Sequence, residues 1–246
     1  MTLKITVVDP IECSIEKKDK DVLLHCLSFK SEYWRKGRYK KERFEYDKNI
    51  FSRKTPTHVF FYTGHLTRVQ EFLNREDIPF EIEGEDWYIN PARTPSLPRI
   101  SFREDQNLLI SNALDKQRGV IKSPTGSGKT LLQLGILSAF DEPALILAHT
   151  KDIVIQTVEE AKKFGFKNVQ MIFGESKFEG KFSKGLVVAT MQSFNKIDPK
   201  IYCDRFAIVI VDEGHHVSSF DGTYAQILGN LLAPMRLAFT ATLPVK

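Results

Sequence analysis

The chain has 246 residues, 42% of them hydrophobic and 27% charged, and a formal net charge of +4. These values are typical of an ordinary soluble protein of one or two domains, and the small net charge does not by itself indicate a nucleic-acid partner. We find no run of eighteen apolar residues, no signal peptide and no paired cysteines, which excludes a membrane span, a secreted disulfide framework and a zinc site. We therefore expect a cytoplasmic or nucleoid-associated protein.

The first 95 residues predict a small α+β domain. Short apolar or alternating runs predict strands at Leu3 to Val8, Val22 to Phe29, Val59 to Tyr62 and Phe80 to Glu83. A helical spacing of apolar residues covers Leu66 to Asn74.

A basic stretch interrupts this domain. Lys30 to Lys54 holds ten Lys or Arg against four acids, and six aromatic residues are interleaved with them. Positive charge with aromatics suits phosphate contact plus base stacking, and we take Arg35, Lys36 and Arg38 as candidate contacts. The alternative, a solvated basic hairpin whose aromatics pack inward, explains the same pattern equally well.

The composition changes near residue 95. Pro91, Pro95 and Pro98 lie close together, and because proline disrupts helices and central strands, we predict a linker between domains 1–95 and 96–246. Beyond it, short continuous apolar runs alternate with amphipathic helical stretches, which predicts a doubly wound parallel α/β sheet covered on both faces. The chemistry of such a fold lies at the carboxyl ends of its strands.

One such strand end carries a phosphate-binding pattern. The segment Ser123 to Thr130 (SPTGSGKT) follows an apolar strand and opens a helix. Gly126 and Gly128 let the backbone amides curl around a phosphate, and the helix N-terminus adds its positive dipole end. Lys129 then reaches the terminal phosphates and the Thr130 hydroxyl binds Mg²⁺. Ser123 stands where the usual pattern has its leading glycine.

A second apolar strand ends in two acids, Asp212 and Glu213. Phosphoryl transfer to water needs one carboxylate to hold hydrated Mg²⁺ and another group to orient the attacking water. Asp212 fits the first role, and Glu213, on the other side of the strand pleat, fits the second. His215, His216 and Cys203 lack the spacing of a four-ligand metal site.

These segments together resemble the superfamily 2 helicases of the DExH type. The segments Ser123 to Thr130, Asp212 to His215 (DEGH) and Thr240 to Thr242 (TAT) resemble motifs I, II and III, in the family's order and spacing. The details are most similar to the XPB, RecG and UvsW group of DNA helicases and translocases. The resemblance implies a RecA-like fold and ATP-driven movement on duplex or branched DNA, with a role in DNA repair or recombination.

The resemblance also implies roles for individual residues. The ATP site comprises Arg103 and Gln106, with the glutamine reading adenine, and the loop Ser123, Pro124, Thr125, Gly126, Ser127, Gly128, Lys129 and Thr130. The catalytic residues are Lys129, Asp212, Glu213 and His215, and Mg²⁺ is held by Thr130 and by Asp212 through water. Segments resembling the next two motifs place Thr150 and Thr190 on the nucleic-acid backbone.

The family carries a second RecA-like lobe with an arginine finger. Its motifs are absent from these 246 residues, so we expect weak ATP hydrolysis until that lobe is supplied, since the finger is worth ~10³ to 10⁵ in rate. Three alternatives stay open: a restriction-system motor subunit, a non-motor P-loop enzyme such as a nucleotide kinase, and a nucleic-acid-binding module in which ATP is regulatory or vestigial.

Overall fold

The computed structural model describes residues 2–36, 41–49, 51–84, 87–124, 126–174, 185–217 and 222–242. The chain divides into two compact units, Met1–Asp86 and Trp87–Lys246. None of the helices within the described residues is long and apolar enough to cross a membrane.

The first unit is a mixed sheet with helices. Its elements are β1 Leu3–Val7, β2 Glu12–Glu16, α1 Lys20–Leu24, β3 Ser28–Lys36, β4 Lys41–Asn49, β5 Phe51–Lys54, β6 His58–Tyr62, α2 Leu66–Arg75 and β7 Phe80–Gly84. Five strands form a sheet in the order β5-β6-β2-β1-β7, in which only β1 and β7 run parallel among the described pairs. Alternate residues of β1, including Ile5, point into a core with Leu23, Phe61, Val69 and Leu73.

Strands β3 and β4 form a separate antiparallel hairpin, whose register pairs Arg35 with Glu42 and Lys36 with Lys41. Residues 30–36 and 41–49 of the basic stretch therefore lie in the two hairpin strands, whereas Phe51–Lys54 is β5 of the five-stranded sheet. Arg38 and the side chains of Arg35 and Lys36 lie outside the part of the chain that is described.

One predicted strand of this unit is wrong. Residues 22–29 begin in helix α1, and the strand starts only at Ser28. The amide of Leu27 donates to the carbonyl of Leu23, and both side chains are fully buried. Two leucines four residues apart lie on one face of a helical turn, so their spacing indicates a helix and not a strand.

The second unit is a parallel α/β sheet. Its elements are α3 Glu104–Lys116, β8 Arg118–Lys122, α4 Lys129–Leu137, β9 Ala144–Ala148, α5 Lys151–Lys163, β10 Val169–Ile172, β11 Leu186–Thr190, α6 Met191–Phe194, α7 Pro199–Tyr202, β12 Ile208–Val211, α8 Thr223–Asn230 and β13 Met235–Thr240. The six strands are ordered β10-β11-β9-β12-β13-β8 and all their described pairs are parallel.

Helices cover both faces of this sheet. Strands β9, β11 and β12 are buried at every position, which accounts for their continuous apolar sequences. One face packs against α3, α4 and α5 through residues such as Ile110 and Val158, and the other against α6 to α8 through Phe194 and Ile227. The predicted doubly wound α/β fold is confirmed.

The proline-rich segment that we expected to be a linker belongs to the second unit. The amides of Ala92 and Arg93 donate to the carbonyl of Ala139, the amide of Ser96 donates to Ser138 Oγ, and Leu97 is buried. The residues between the prolines supply the amides that attach the segment to the end of α4. The division of the chain therefore precedes this segment, at Asp86.

Candidate nucleotide-binding site

The loop between β8 and α4 has the backbone of a phosphate-binding loop. Gly126 and Gly128 have φ values of +80° and +86°, in the left-handed region that favours glycine. Helix α4 begins at Lys129, so its first amides open onto the loop. Thr125 lies outside the described residues. The described part of the loop has the glycine conformations that the predicted phosphate loop needs, and phosphate binding itself stays a prediction.

Ser123, the departure from the usual leading glycine, is used inside the loop. It is buried, its Oγ lies 2.5 Å from Ser127 Oγ, and the Ser127 hydroxyl also lies 2.6 Å from the carbonyl of Pro124. The Ser123 amide donates to the carbonyl of Thr240 at 2.8 Å. The small hydroxyl side chain thus bonds within the loop, while the Ser123 backbone amide ties the loop to the end of β13.

Lys129 meets the acidic segment after β12. Its Nζ forms an ion pair with Glu213 Oε1, and the side chains are 14% and 25% exposed. Strand β12 ends at Val211, and Glu213 has a φ of +53°. The prediction that Glu213 lies on the strand pleat is therefore wrong. A left-handed turn follows the strand and directs the Glu213 carboxylate towards Lys129.

Asp212 is 8% exposed and is fixed at two points. Its amide donates to the carbonyl of Leu147, and its Oδ1 accepts a 3.0 Å hydrogen bond from Gln133 Nε2. Burial raises the pKa of the Asp212 carboxyl and the charge of Glu213 adds to this effect, whereas Lys129 and the Gln133 hydrogen bond lower the pKa.

The available donors fit Mg²⁺ better than a transition metal. Thr130, in the first turn of α4, and Asp212 offer hard oxygen ligands, which Mg²⁺ combines with phosphate oxygens and water. Among the described residues, no three His, Cys, Asp or Glu side chains cluster as a metal site of their own. Few protein ligands are expected at a Mg²⁺ site where the nucleotide and water supply most of the coordinating oxygen atoms.

His215 connects the acidic segment to β13. Its Nδ1 lies 3.1 Å from Thr240 Oγ1 and 3.2 Å from Glu213 Oε2. The Thr240 hydroxyl donates to the carbonyl of Thr242 at 2.7 Å, so towards His215 it can only accept. Both contacts of His215 therefore require the proton on Nδ1. Through Lys129, Glu213, His215 and Thr240, the three segments that resemble motifs I, II and III are joined by consecutive polar contacts.

Gln106 supports the loop in this structure. It is 2% exposed, its Oε1 accepts from the amide of Arg103 at 3.1 Å, and its Nε2 donates to the carbonyl of Ser127 at 3.2 Å. The Arg103 guanidinium is paired with Asp105 and lies 3.4 Å from the same carbonyl. Both predicted adenine residues thus adjoin the loop, and their contact with the base stays a prediction.

Two of the predicted nucleic-acid residues, Thr150 and Thr190, lie at the same edge of the parallel sheet, after β9 and at the end of β11. Thr150 is exposed and caps α5, its Oγ1 accepting from the amide of Ile153 at 3.4 Å. Thr190 is only 6% exposed. A backbone contact is therefore open to Thr150, while the Thr190 hydroxyl is covered. The basic segment from Lys177 to Lys184, which is a further candidate for DNA contact by its charge, lies outside the described residues.

The sequence did not predict a role at this site for two residues, Gln133 and Tyr224. Gln133 is a polar residue within the apolar helix α4, and that contrast was the available signal. Tyr224 on α8 is 3% exposed, and its hydroxyl has no hydrogen-bond partner among the described residues. Burial, followed by the charges of Asp212 and Glu213, raises the pKa of Tyr224 to about 12.

Residues 99–245 match the family described as "Type III restriction enzyme, res subunit". The chain is 32% identical over 164 residues to the DNA 3'-5' translocase XPB2 of Sulfurisphaera tokodaii, covering 66% of this chain and 36% of that protein. It is 28% identical over 182 residues to the probable helicase D10 of Escherichia phage T5, covering 74% and 38%. The chain thus spans a little over a third of the length of these curated relatives.

The fold is similar to that of the UvsW helicase of bacteriophage T4. The TM-score is 0.73 at 18% sequence identity, covering 99% of this chain and 93% of that one. At this identity the likeness concerns the fold alone. It extends over the residues of both units.

Proposed function

The chain belongs to the superfamily 2 helicase family described as "Type III restriction enzyme, res subunit", and from this membership we propose that it is the ATP-binding part of a translocase or helicase acting on duplex or branched DNA. The proposal rests on one observation: the side chains of Lys129, Glu213 and Asp212 lie close together at the carboxyl ends of β8 and β12. A phosphate loop facing two acids is the arrangement that ATP hydrolysis requires.

The residues divide the work of binding and hydrolysis. The amides of the loop and Lys129 bind the phosphates, while Thr130 and Asp212 hold Mg²⁺, which neutralises phosphate charge when bound. Lys129 exchanges its partner Glu213 for phosphate oxygens, which leaves the Glu213 carboxylate free to orient a water molecule and accept its proton. His215 keeps Glu213 and Thr240 in place.

The DNA part of the proposal draws on the relatives and on the positions of residues. XPB2 is named as a DNA translocase. Thr150 is exposed at the same edge of the sheet as the candidate ATP site, and the β3-β4 hairpin carries most of the basic stretch, including Arg35 and Lys36, with Arg38 following in the sequence. We propose DNA contact at both places, damage or branch recognition by the first unit, and a cytoplasmic or nucleoid location.

A restriction-system motor is the second candidate, and it is favoured by membership of the family described as "Type III restriction enzyme, res subunit". Both functions need the same ATP site and movement on DNA. They differ in outcome, because a restriction motor supports cleavage of DNA, whereas a repair helicase unwinds or remodels branched substrates without cutting them. Assays of the full-length protein on the two kinds of substrate separate them.

Calorimetric titration with Mg·ATP tests the ATP site. Replacing Lys129 by Ala should weaken binding by roughly ten- to a hundredfold, the range expected for a lost hydrogen bond to a charged group. Lys116→Ala is the matched control, since Lys116 is exposed at the end of α3 and paired with Asp115. Equal affinity of Lys129→Ala and wild type for Mg·ATP would contradict the proposed site.

The same samples report on turnover. We propose that residues 1–246 by themselves hydrolyse ATP slowly even with DNA, and that adding the second lobe raises the rate, because an arginine finger contributes ~10³ to 10⁵. Fast DNA-stimulated hydrolysis by these residues alone would show that the finger is not required.

A further inference from the structure

Helix α4 contains one buried polar side chain in an otherwise apolar interior. From Leu131 to Leu137 its sequence is LLQLGIL, and Gln133 is 2% exposed. Burying an amide in apolar surroundings is unfavourable unless the amide is hydrogen-bonded. The position of Gln133 in this helix therefore calls for a specific partner.

That partner is the carboxylate assigned to Mg²⁺. Gln133 Nε2 donates to Asp212 Oδ1 at 3.0 Å, across 79 residues of sequence, and both side chains are buried. The amide is neutral, so it occupies one oxygen without cancelling the charge as a lysine would. With Oδ1 held in this way and the Asp212 amide bonded to Leu147, rotation of the carboxylate is restricted.

The donor belongs to the same rigid element as the phosphate ligands. Gln133 follows Lys129 by four residues, so the two lie one turn apart on the same side of α4, and Thr130 is in the same first turn. The helix that presents Lys129 and Thr130 therefore also sets the orientation of Asp212.

We propose that Gln133 is a positioning residue, which holds the Asp212 carboxylate in the single orientation that binds Mg²⁺ together with ATP. This inference rests on the proposed function. It distinguishes Gln133 from a buried glutamine that only stabilises the fold, because a positioning role affects the Mg²⁺-dependent part of nucleotide binding and a structural role does not.

The test compares ATP affinity in excess Mg²⁺ with ATP affinity in EDTA. Replacing Gln133 by Met keeps a side chain of similar length and removes the donor. We expect affinity in Mg²⁺ to fall roughly tenfold, as is usual when a hydrogen-bond partner of a metal-binding carboxylate is removed, and affinity in EDTA to stay unchanged. Gln133→Asn, whose amide is too short to reach Asp212, should give the same result and serves if the Met variant does not fold.

Gln117→Met is the matched control. Gln117 is also 2% exposed, but its amide bonds to the backbone of Ile89, at 2.9 Å to the N–H and 2.5 Å to the carbonyl. This variant should lower the melting temperature and leave the ratio of the two affinities unchanged. A wild-type ratio in folded Gln133→Met or Gln133→Asn would overturn the positioning role. Failure of the wild-type protein to bind ATP at all would overturn the proposed function, and this inference with it.

Discussion

At the scale of single residues, the acidic segment after β12 shows how neighbouring side chains acquire different environments. Asp212 continues the strand direction, is 8% exposed and contacts Gln133, whereas Glu213 adopts a left-handed backbone conformation and contacts Lys129 and His215. Two adjacent carboxylates are thereby directed to different partners. This separation suits two distinct roles, one towards a cation and one towards a water molecule.

Tyr224 gives a prediction at the same scale. Its hydroxyl is buried without a hydrogen-bond partner among the described residues, an arrangement that costs about 1 to 3 kcal/mol. Replacing Tyr224 by Phe removes the hydroxyl and keeps the ring, so the free energy of unfolding without nucleotide should rise by about 1 kcal/mol.

Urea denaturation monitored by circular dichroism measures this change. Tyr88→Phe is the comparison, because the Tyr88 hydroxyl donates to the carbonyl of Leu114 at 3.2 Å and its loss should leave stability equal or lower. A clear loss of stability in Tyr224→Phe would mean that the hydroxyl has a partner in solution.

At the scale of elements, the packing of α3 on α4 determines where the phosphate loop lies. A Cβ added at Gly135 would come within 2.7 Å of Phe102 Cζ and 3.1 Å of Ile110 Cδ1. Glycine at this point of α4 therefore allows close approach of the segment that carries Arg103 and Gln106. That approach brings the Gln106 amide to the carbonyl of Ser127.

A pair of glycine substitutions tests this packing. Gly135→Ala should destabilise the protein by about 1 to 3 kcal/mol because the methyl group overpacks the helix contact. In Gly229→Ala the new methyl group on α8 meets nothing among the described atoms within 4 Å, so the change should stabilise by up to about 1 kcal/mol through helix propensity. Thermal unfolding of both variants measures the two signs. An equal effect in both would show that α3 and α4 pack loosely enough to accept the methyl group.

At the scale of the whole molecule, the chain combines a parallel α/β unit that carries the candidate ATP site with a mixed-sheet unit that carries a basic hairpin. The hairpin strands are nine residues each. If the hairpin contacts the DNA backbone, each neutralised phosphate releases counterions and contributes about 0.9 to the slope of log affinity against log salt.

Binding of duplex and branched DNA at several salt concentrations measures that slope. Alanine at five hairpin positions, namely Arg35, Lys36, Arg38, Lys40 and Lys41, should weaken binding and flatten the slope by several units at most, about 0.9 for each phosphate that is no longer neutralised. The control set replaces five exposed basic residues elsewhere in the same unit: Lys4, Lys17, Lys18, Arg68 and Arg75. Identical slopes for the hairpin set and wild type would identify the hairpin as a solvated face.

Sequence alone determined the fold class and predicted the candidate ATP site. Continuous apolar strands, helical periodicity and the glycines at 126 and 128 reflect constraints that act within a few residues, so they are readable locally. The same reasoning identified Lys129, Asp212 and Glu213 as a set, because a phosphate loop and an acidic strand end have meaning only together.

Tertiary structure alone decided which residues hold that set in place. The Gln133–Asp212 hydrogen bond joins residues 79 positions apart in the sequence. The Ser123–Thr240 hydrogen bond depends on β13 lying next to β8. The proline-rich segment is hydrogen-bonded to the end of α4 through its backbone amides. Each depends on strand order and close packing between distant parts of the chain, which local periodicity does not encode. The turn at Glu213 is similar, since its left-handed conformation is unfavourable for glutamate in isolation and is maintained here by contacts with Lys129 and His215.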